Sequence, residues 1–437
     1  MQNNVQGEDN NTTLKVSFME AFWFWLKLGF ISFGGPIGQI AIMHTELVEK
    51  RKWISEKRFL HALNFCMLLP GPEAMQLATY VGWLMHKSRG AIVAGLLFIL
   101  PSLILLMALA LLYLRYSNLP VVEALFYGIK PAVVAIVFFA AYRIAKKTLK
   151  TPQLMLITAL AFVALYLFHL PFPLIILSAA VLGYLFARIK PTVEHSSPDF
   201  DSHTQASHTR FSWRQSGRVL IIGLVCWFVP MGALYLILGW DHSLTQMGWF
   251  FTKAAFLTFG GAYAVLPYVY QGAVSLYGWV TPVQMMDGLA LGESTPGPLI
   301  MIVAFVGFIA GYMDAFWGPD ASLWAGVLAA VLVTWFTFLP SFVFVLMGGP
   351  LIESSFKTTF LNGPLTGISA AVVGVVFSLG MFFAEHALWP EQLEGAIDGW
   401  SALILLASMI ALVKLRIGIM PVLGLSALAG VGLQMFL

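Results

Sequence analysis

Residues 30–36 read FISFGGP and residues 256–262 read FLTFGGA. Two glycines set into an apolar run, and then repeated, decide how the rest of this 437-residue chain must be arranged. A spacing of 226 takes Gly34 to Gly260. It also carries Trp53-Ile54-Ser55 onto Trp279-Val280-Thr281, Pro70-Gly71-Pro72 onto Pro296-Gly297-Pro298, and Lys27 onto Lys253. Further along, Leu100-Pro101-Ser102 recurs as Leu339-Pro340-Ser341, and Gly128-Ile129 as Gly367-Ile368, at a spacing of 239. Register kept over so long a span marks an internal duplication.

The composition says where such a chain lives. Hydrophobic residues make up 59% of it, charged residues 10%, and the mean hydropathy is +0.83, more apolar surface than a soluble domain can hide. Apolar stretches at 91–114, 121–145, 154–168, 174–186, 219–238, 323–346, 365–383, 402–413 and 419–437 recur along the sequence. Several have the roughly 20 residues that cross a bilayer core as helix. The expected class is an all-α polytopic membrane protein. The polar start, MQNNVQGEDNNTTLK, lacks a basic segment followed by a cleavable apolar run, so no signal peptide is expected. Cys66 and Cys226 sit in apolar context and read as buried small side chains. The net charge of +3 says little about partners, and no nucleic acid partner is expected.

Residues 1–190 form the first copy and 241–437 the second. Between them lie a polar linker at 191–214 and an added apolar segment at 215–240 that has no counterpart in the first copy. One extra crossing would turn the second copy over, and charge supports this. Basic residues concentrate in cytoplasmic loops. The loop 44–58 has Lys50, Arg51, Lys52, Lys57 and Arg58, whereas its equivalent, 270–284, has none. Arg143, Lys146, Lys147 and Lys150 follow one apolar stretch, and the equivalent stretch at 382–389 is bare of lysine and arginine. The expected architecture is therefore two inverted-topology repeats, with the N-terminus and linker in the cytoplasm.

Lys57 and Arg58 precede the segment 59–85, and Lys87 and Arg89 follow it. If both ends face the cytoplasm, the segment enters and returns, broken at Pro70-Gly71-Pro72. The stretch 18–48 reads the same way, with its turn at Gly34-Gly35-Pro36. These re-entrant broken-helix hairpins answer why the glycines are written twice. A helix N-terminus at membrane depth offers amide hydrogens and the positive end of a dipole to an anion. Glycine lets the backbone come close to it. Four tips, at Gly34-Gly35-Pro36, Pro70-Gly71-Pro72, Gly260-Gly261 and Pro296-Gly297-Pro298, would build the site, with Pro36, Pro72 and Pro298 each starting a half-helix. Ala262 stands where proline would be, which makes its tip the weakest. Lys27 and Lys253, two turns before the glycine pairs, would attract the anion. Ser32, Gln39, Gln76, Thr258, Ser294 and Thr295 supply neutral polar groups that serve oxyanion oxygens or broken backbone equally. Glu73 and Glu293 flank the tips and are the candidates for proton coupling. There is no phosphate-binding Gly-rich loop, metal-ligand cluster or nucleophile triad, so neither ATP drive, nor a cofactor, nor enzymatic chemistry finds support.

At these motifs the chain resembles the chromate ion transporter superfamily. FGGPIGQ at 33–39 with LLPGPEAMQLA at 68–78, and FGGAYAVLP at 259–267 with ESTPGPL at 293–299, carry the likeness over nearly the whole length, in that family's long, two-domain form. The resemblance implies an inner-membrane exporter of chromate, driven by the proton motive force and conferring chromate resistance. Sulfate, a tetrahedral dianion of similar charge, is the natural competitor, and some relatives carry other anions. A passive anion channel and a cation transporter using Glu73 and Glu293 remain open on the residues alone, as does a homodimer.

Overall fold

The computed structural model describes residues 16–189, 212–259, 261–353, 362–389 and 396–436. The linker at 191–214 falls almost wholly outside the described residues, as does Gly260. Every regular element among the described residues is helical. Five helices are long and apolar enough to cross a membrane, and five shorter apolar ones accompany them. The protein is an all-α polytopic membrane protein.

Both copies run through the same succession of elements. In the first, α1 (Phe18–Ile31) breaks before α2 (Gly35–His44), which runs on through a π-turn at Thr45–Lys50. Then come α3 (Glu56–Cys66), α4 (Glu73–Tyr116), α5 (Pro120–Thr148), α6 (Pro152–Tyr166) and α7 (Phe172–Ile189). The added helix is α8 (Trp213–Leu238). The second copy has α9 (Ser243–Leu257), α10 (Ala262–Tyr270) with a π-turn at Gln271–Leu276, and α11 (Pro282–Ser294). It continues with a short 3₁₀ turn, Leu299–Met301, into α12 (Ile302–Asp314), then α13 (Ser322–Glu353), α14 (Asn362–Leu388), α15 (Gly399–Val413) and α16 (Ile419–Phe436). The two π-turns stand at the 226-residue spacing of the glycine pairs.

Helix α4 is one element only by its hydrogen bonding. At His86 and Lys87 the backbone leaves helical geometry, with φ +56° at Lys87. Gly82 and Gly90 then lie in contact across the fold, where an added Cβ on either would strike the other's carbonyl. In a straight helix eight residues would separate them by about 12 Å. The arm after Glu73 thus turns back on the arm that ends at Tyr116, as α12 does on the separate α13.

At the breaks the first copy folds into hairpins. His86 Nε2 lies 2.9 Å from the Val16 carbonyl, Arg51 Nη1 3.7 Å from Glu20 Oε1, and His44 Nε2 2.6 Å from Glu56 Oε2. The open ends of α1/α2 and of α3 with the first arm of α4 therefore share one level, and the breaks at Ser32–Gly34 and Met67–Pro72 lie away from it. The second copy repeats the packing: Phe24 meets Trp53 edge-on at 5.0 Å, and Phe250 meets Trp279 at 5.6 Å.

The two copies interlock. Helix α5 is held by α15 and α16, α14 by α6 and α7, and α5 and α14 also pack on each other. Glycines permit it: Gly128 on α5 touches Ser426 and Gly430 of α16, while Gly367 on α14 touches Ala179 and Gly183 of α7. Close backbone approach through small residues is how membrane helices gain packing energy when lipid is as apolar as they are. The added helix α8 exposes most of its apolar side chains, Ile221, Val225, Phe228, Val229, Leu236 and Ile237 among them, as a lipid-facing helix does.

Candidate functional site

The breaks of one copy are tied to the breaks of the other. The Gly71 amide donates to the Thr258 carbonyl at 2.7 Å, and the Gly297 amide donates to the Ser32 carbonyl at 2.8 Å. These bonds are equivalent under the 226-residue spacing. Each tip also rests on a serine of the opposite copy. A Cβ on Gly297 would lie 2.7 Å from Ser102 Cβ, and one on Gly71 would strike Ser341 Oγ. Pro101 and Pro340, inside α4 and α13, precede those serines, so the repeated Leu-Pro-Ser motif is what receives the tips. The glycines themselves are required by conformation, with φ +129° at Gly71 and +107° at Gly297.

This corrects one expectation. The Gly71 and Gly297 amides are already spent on protein carbonyls, so they do not wait as free donors for an anion. Gln39 and Gln76 likewise serve broken backbone. Gln39 Nε2 donates to the Gly297 carbonyl and, at 3.3 Å, to the Ser32 carbonyl, and Gln76 Nε2 donates to the Pro70 carbonyl at 2.8 Å. Ser32 and Thr258 hydroxyls return to their own helices, to Leu28 at 2.6 Å and Ala254 at 2.7 Å. Thr295 Oγ1 bonds the Gly292 carbonyl at 3.0 Å. Pro36 lies in the first turn of α2 as expected, but Pro72 and Pro298 sit one step earlier, as extended N-cap residues. The positive φ of the preceding glycine aims the chain there before the helix can start.

A cavity of about 100 Å³ opens instead at Gly34, Gly35 and Gly261. Gly34, Gly35 and Pro36 line it from the first copy, Gly261, Ala262 and Tyr263 from the second, and Ala140, Arg143 and Ile419 close it. Organic ligands fill pockets of about 300–1,000 Å³, so this one suits a small inorganic ion. Open space faces Gly35 and Gly261, so bare backbone borders the cavity at φ +68° and +101°. The N-termini of α2 and α10 both begin at it, bringing two positive dipole ends together. Arg143 adds a full charge and a planar fork of donors suited to oxyanion oxygens.

Arg143 is a cavity residue that stood in the sequence only among the basic residues after the α5 stretch. Ala140 and Arg143 are three apart on one helix face, which is the cavity face, while Lys146 and Lys147 are exposed. Tyr263 is the second: it lines the cavity and its hydroxyl donates to Glu293 Oε1, linking the cavity to a carboxylate only 5% exposed. Glu73, half-buried at the start of α4, is not part of the lining. Nor are Lys27, which is exposed, Lys253, whose Nζ lies 5.9 Å from the Trp249 ring centre, or Ser294, also exposed. Both free cysteines lie away from the cavity, Cys66 fully buried.

Helices broken in register and interlocked copies whose tips meet at a small cavity are the frame of a polytopic membrane protein. The chain belongs to the chromate transporter family, whose model matches residues 19–184 and 245–431. Relatives include the chromate transport proteins of Cupriavidus metallidurans, 28% identical over 90% of this chain and 87% of that one, and of Pseudomonas aeruginosa, 31% identical over 83% and 80%. A probable chromate transport protein of Synechococcus elongatus is 29% identical over 85% and 88%. The chain thus has the long, two-domain form. No solved structure matches it.

Proposed function

We propose that the protein is a secondary transporter that moves chromate out of the cytoplasm across the inner membrane, drawing on the proton motive force. The observation that carries the reading is the cavity in which the glycine tips of both copies meet Arg143. A tetrahedral dianion there would take the Arg143 guanidinium on one side and backbone at Gly34–Gly35 and Gly261 on the others, between two helix N-termini. The copies are oppositely oriented, with the N-terminus and linker in the cytoplasm, and rocking of one against the other exposes the cavity to each side in turn. Glu293 carries a proton in this scheme, because its bond from Tyr263 connects it to the cavity wall. A membrane-buried carboxylate is costly and is kept for such work.

The names of the relatives support chromate, and sulfate shares its shape and charge. The test is flux into inverted membrane vesicles with chromate, sulfate, molybdate and phosphate, each with and without an imposed proton gradient. Chromate uptake that the gradient stimulates and sulfate inhibits is the expected outcome. Uptake indifferent to the gradient would make the protein a passive anion pathway. No movement of chromate or sulfate would remove the substrate assignment.

A further inference from the structure

Away from the cavity, α11 carries a second buried carboxylate that the scheme above does not use. Asp287 is only 2% exposed. Its Oδ2 accepts a hydrogen bond from the Tyr113 hydroxyl of α4 at 3.0 Å, and its Oδ1 is buried with no hydrogen-bond partner among the described residues. Tyr113 is itself fixed against Phe305 of α12, ring centres 5.7 Å apart, and Phe305 also covers Gly288. The charge that reaches Asp287 is that of half-buried Lys130 on α5. Among the described residues no ion pair within 4.0 Å joins the two. The other elements packed on α11 add no titratable group beside it. Helix α16 has none, Tyr312 and Asp314 stand in the last turn of α12, and Glu385 and His386 near the end of α14. Glu293 lies further along α11 itself.

We infer that Asp287 is a proton-binding site of the transporter, occupied and emptied as α11 moves against α4 and α5. The bare, buried Oδ1 is what points to the ligand. An ionised carboxylate with one oxygen unsatisfied bears the full desolvation penalty of that oxygen, and a proton removes it without any other rearrangement. Protonation also removes the attraction between Asp287 and Lys130, which runs between a hairpin arm of the second copy and a long helix of the first. Occupancy therefore biases whether α11 holds to α5 or leaves it, which is the coupling a proton-driven transporter needs. The site is single: at the 226-residue spacing the first copy has His61, on the corresponding arm α3. Lys130 is matched by Ser369 at the 239-residue spacing. This unrepeated carboxylate stands apart from the anion cavity, whose lining does not include it.

This inference rests on the proton-driven reading, and the experiment separates the two. The full-length protein in liposomes is assayed for chromate exchange at equal pH and for chromate accumulation under an imposed pH gradient. Asp287→Asn is expected to keep exchange at the wild-type rate and to lose accumulation. Accumulation retained by Asp287→Asn overturns the proposal. If Asp287→Asn does not assemble, Asp287→Glu decides: a displaced pH profile of accumulation supports the site, and an unchanged one refutes it. Infrared difference spectra across a pH step supply a readout independent of transport. A protonated-carboxyl band present in the wild type and absent from Asp287→Asn supports proton uptake there, and identical spectra refute it. A wild type that ignores the pH gradient would sink the proton-driven reading alone, leaving the infrared band to decide Asp287.

Discussion

Replacing Gly297 by alanine tests whether the tips are locked as described. The residue sits at φ +107°, where an L side chain is strained by about 1–3 kcal/mol. The new Cβ would lie 2.7 Å from Ser102 Cβ and 3.1 Å from Ser102 Oγ. Neither atom is the free end of a long side chain, so the tip or α4 must shift, an overpacking of about 1–3 kcal/mol. The sum, about 2–6 kcal/mol, falls on the strand of backbone whose amide bonds the Ser32 carbonyl. Ser102→Gly removes the opposing Cβ and should recover the steric share only. The double variant is then less destabilised than Gly297→Ala but still weaker than Ser102→Gly by the backbone share. The cycle is read from unfolding midpoints in detergent, with chromate flux alongside. Gly71→Ala with Ser341→Gly should behave the same way, since its Cβ meets Ser341 Oγ and, at 2.5 Å, Gln76 Nε2. Gly297→Ala with wild-type stability, or a double variant no better than the single, would refute the interlock.

Other perturbations reach the cavity and the frame. Arg143→Gln removes the charged donor and should weaken chromate binding by about 10–100-fold, since hydrogen bonds to charged groups are worth about 1.5–3 kcal/mol. Titration of purified protein measures it, with Arg143→Lys falling between because it keeps charge but loses the fork. Gly367→Val drives a branched side chain into Ala179 and Gly183 and should prevent α14 from seating on α7, seen as lost monodispersity in detergent. Asp398 caps α15: burial opposes its ionisation, but hydrogen bonds from Tyr127, at 2.6 Å, from Ser401 and from the Ser401 and Trp400 amides outweigh it and hold the carboxyl below its ordinary value. That contribution is complete above the ordinary carboxylate range and is lost as pH falls through the lowered value. Asp398→Asn should therefore lose stability near neutrality and flatten the acid side of the stability curve, measured by thermal unfolding against pH.

Much of this was legible in the residues because lipid leaves few solutions. Apolar stretches give the helices, and proline with glycine gives the breaks, since neither can sit quietly in mid-helix. Gln39 and Gln76 were visible as polar groups near the tips. Nothing local said that Gln39 would brace the Gly297 carbonyl or that Gln76 would reach the Ser341 hydroxyl, because both lie in the other copy. Arg143 read as one of a basic cluster with Lys146, Lys147 and Lys150, and only the three-residue step from Ala140 hints that it turns inward. Asp287 had a signal too, an acid set in the apolar run MMDGLALG, but its hydrogen-bond donor Tyr113 and the charge of Lys130 come from distant helices.

The sequence alone determined that the chain is helical and membrane-embedded, that it is duplicated, and where it must break. These follow from local chemistry: side-chain hydropathy, the missing amide of proline and the positive φ open to glycine. Tertiary structure alone decided which breaks meet and what remains free there. By tying the amides of Gly71 and Gly297 to Thr258 and Ser32, the interlocked copies removed those tips as donors. Gly35 and Gly261, in one cavity lining with Arg143, were left facing open space. Hydrogen-bond partners so distant along the chain are chosen by packing, and packing is not written in any one stretch of residues.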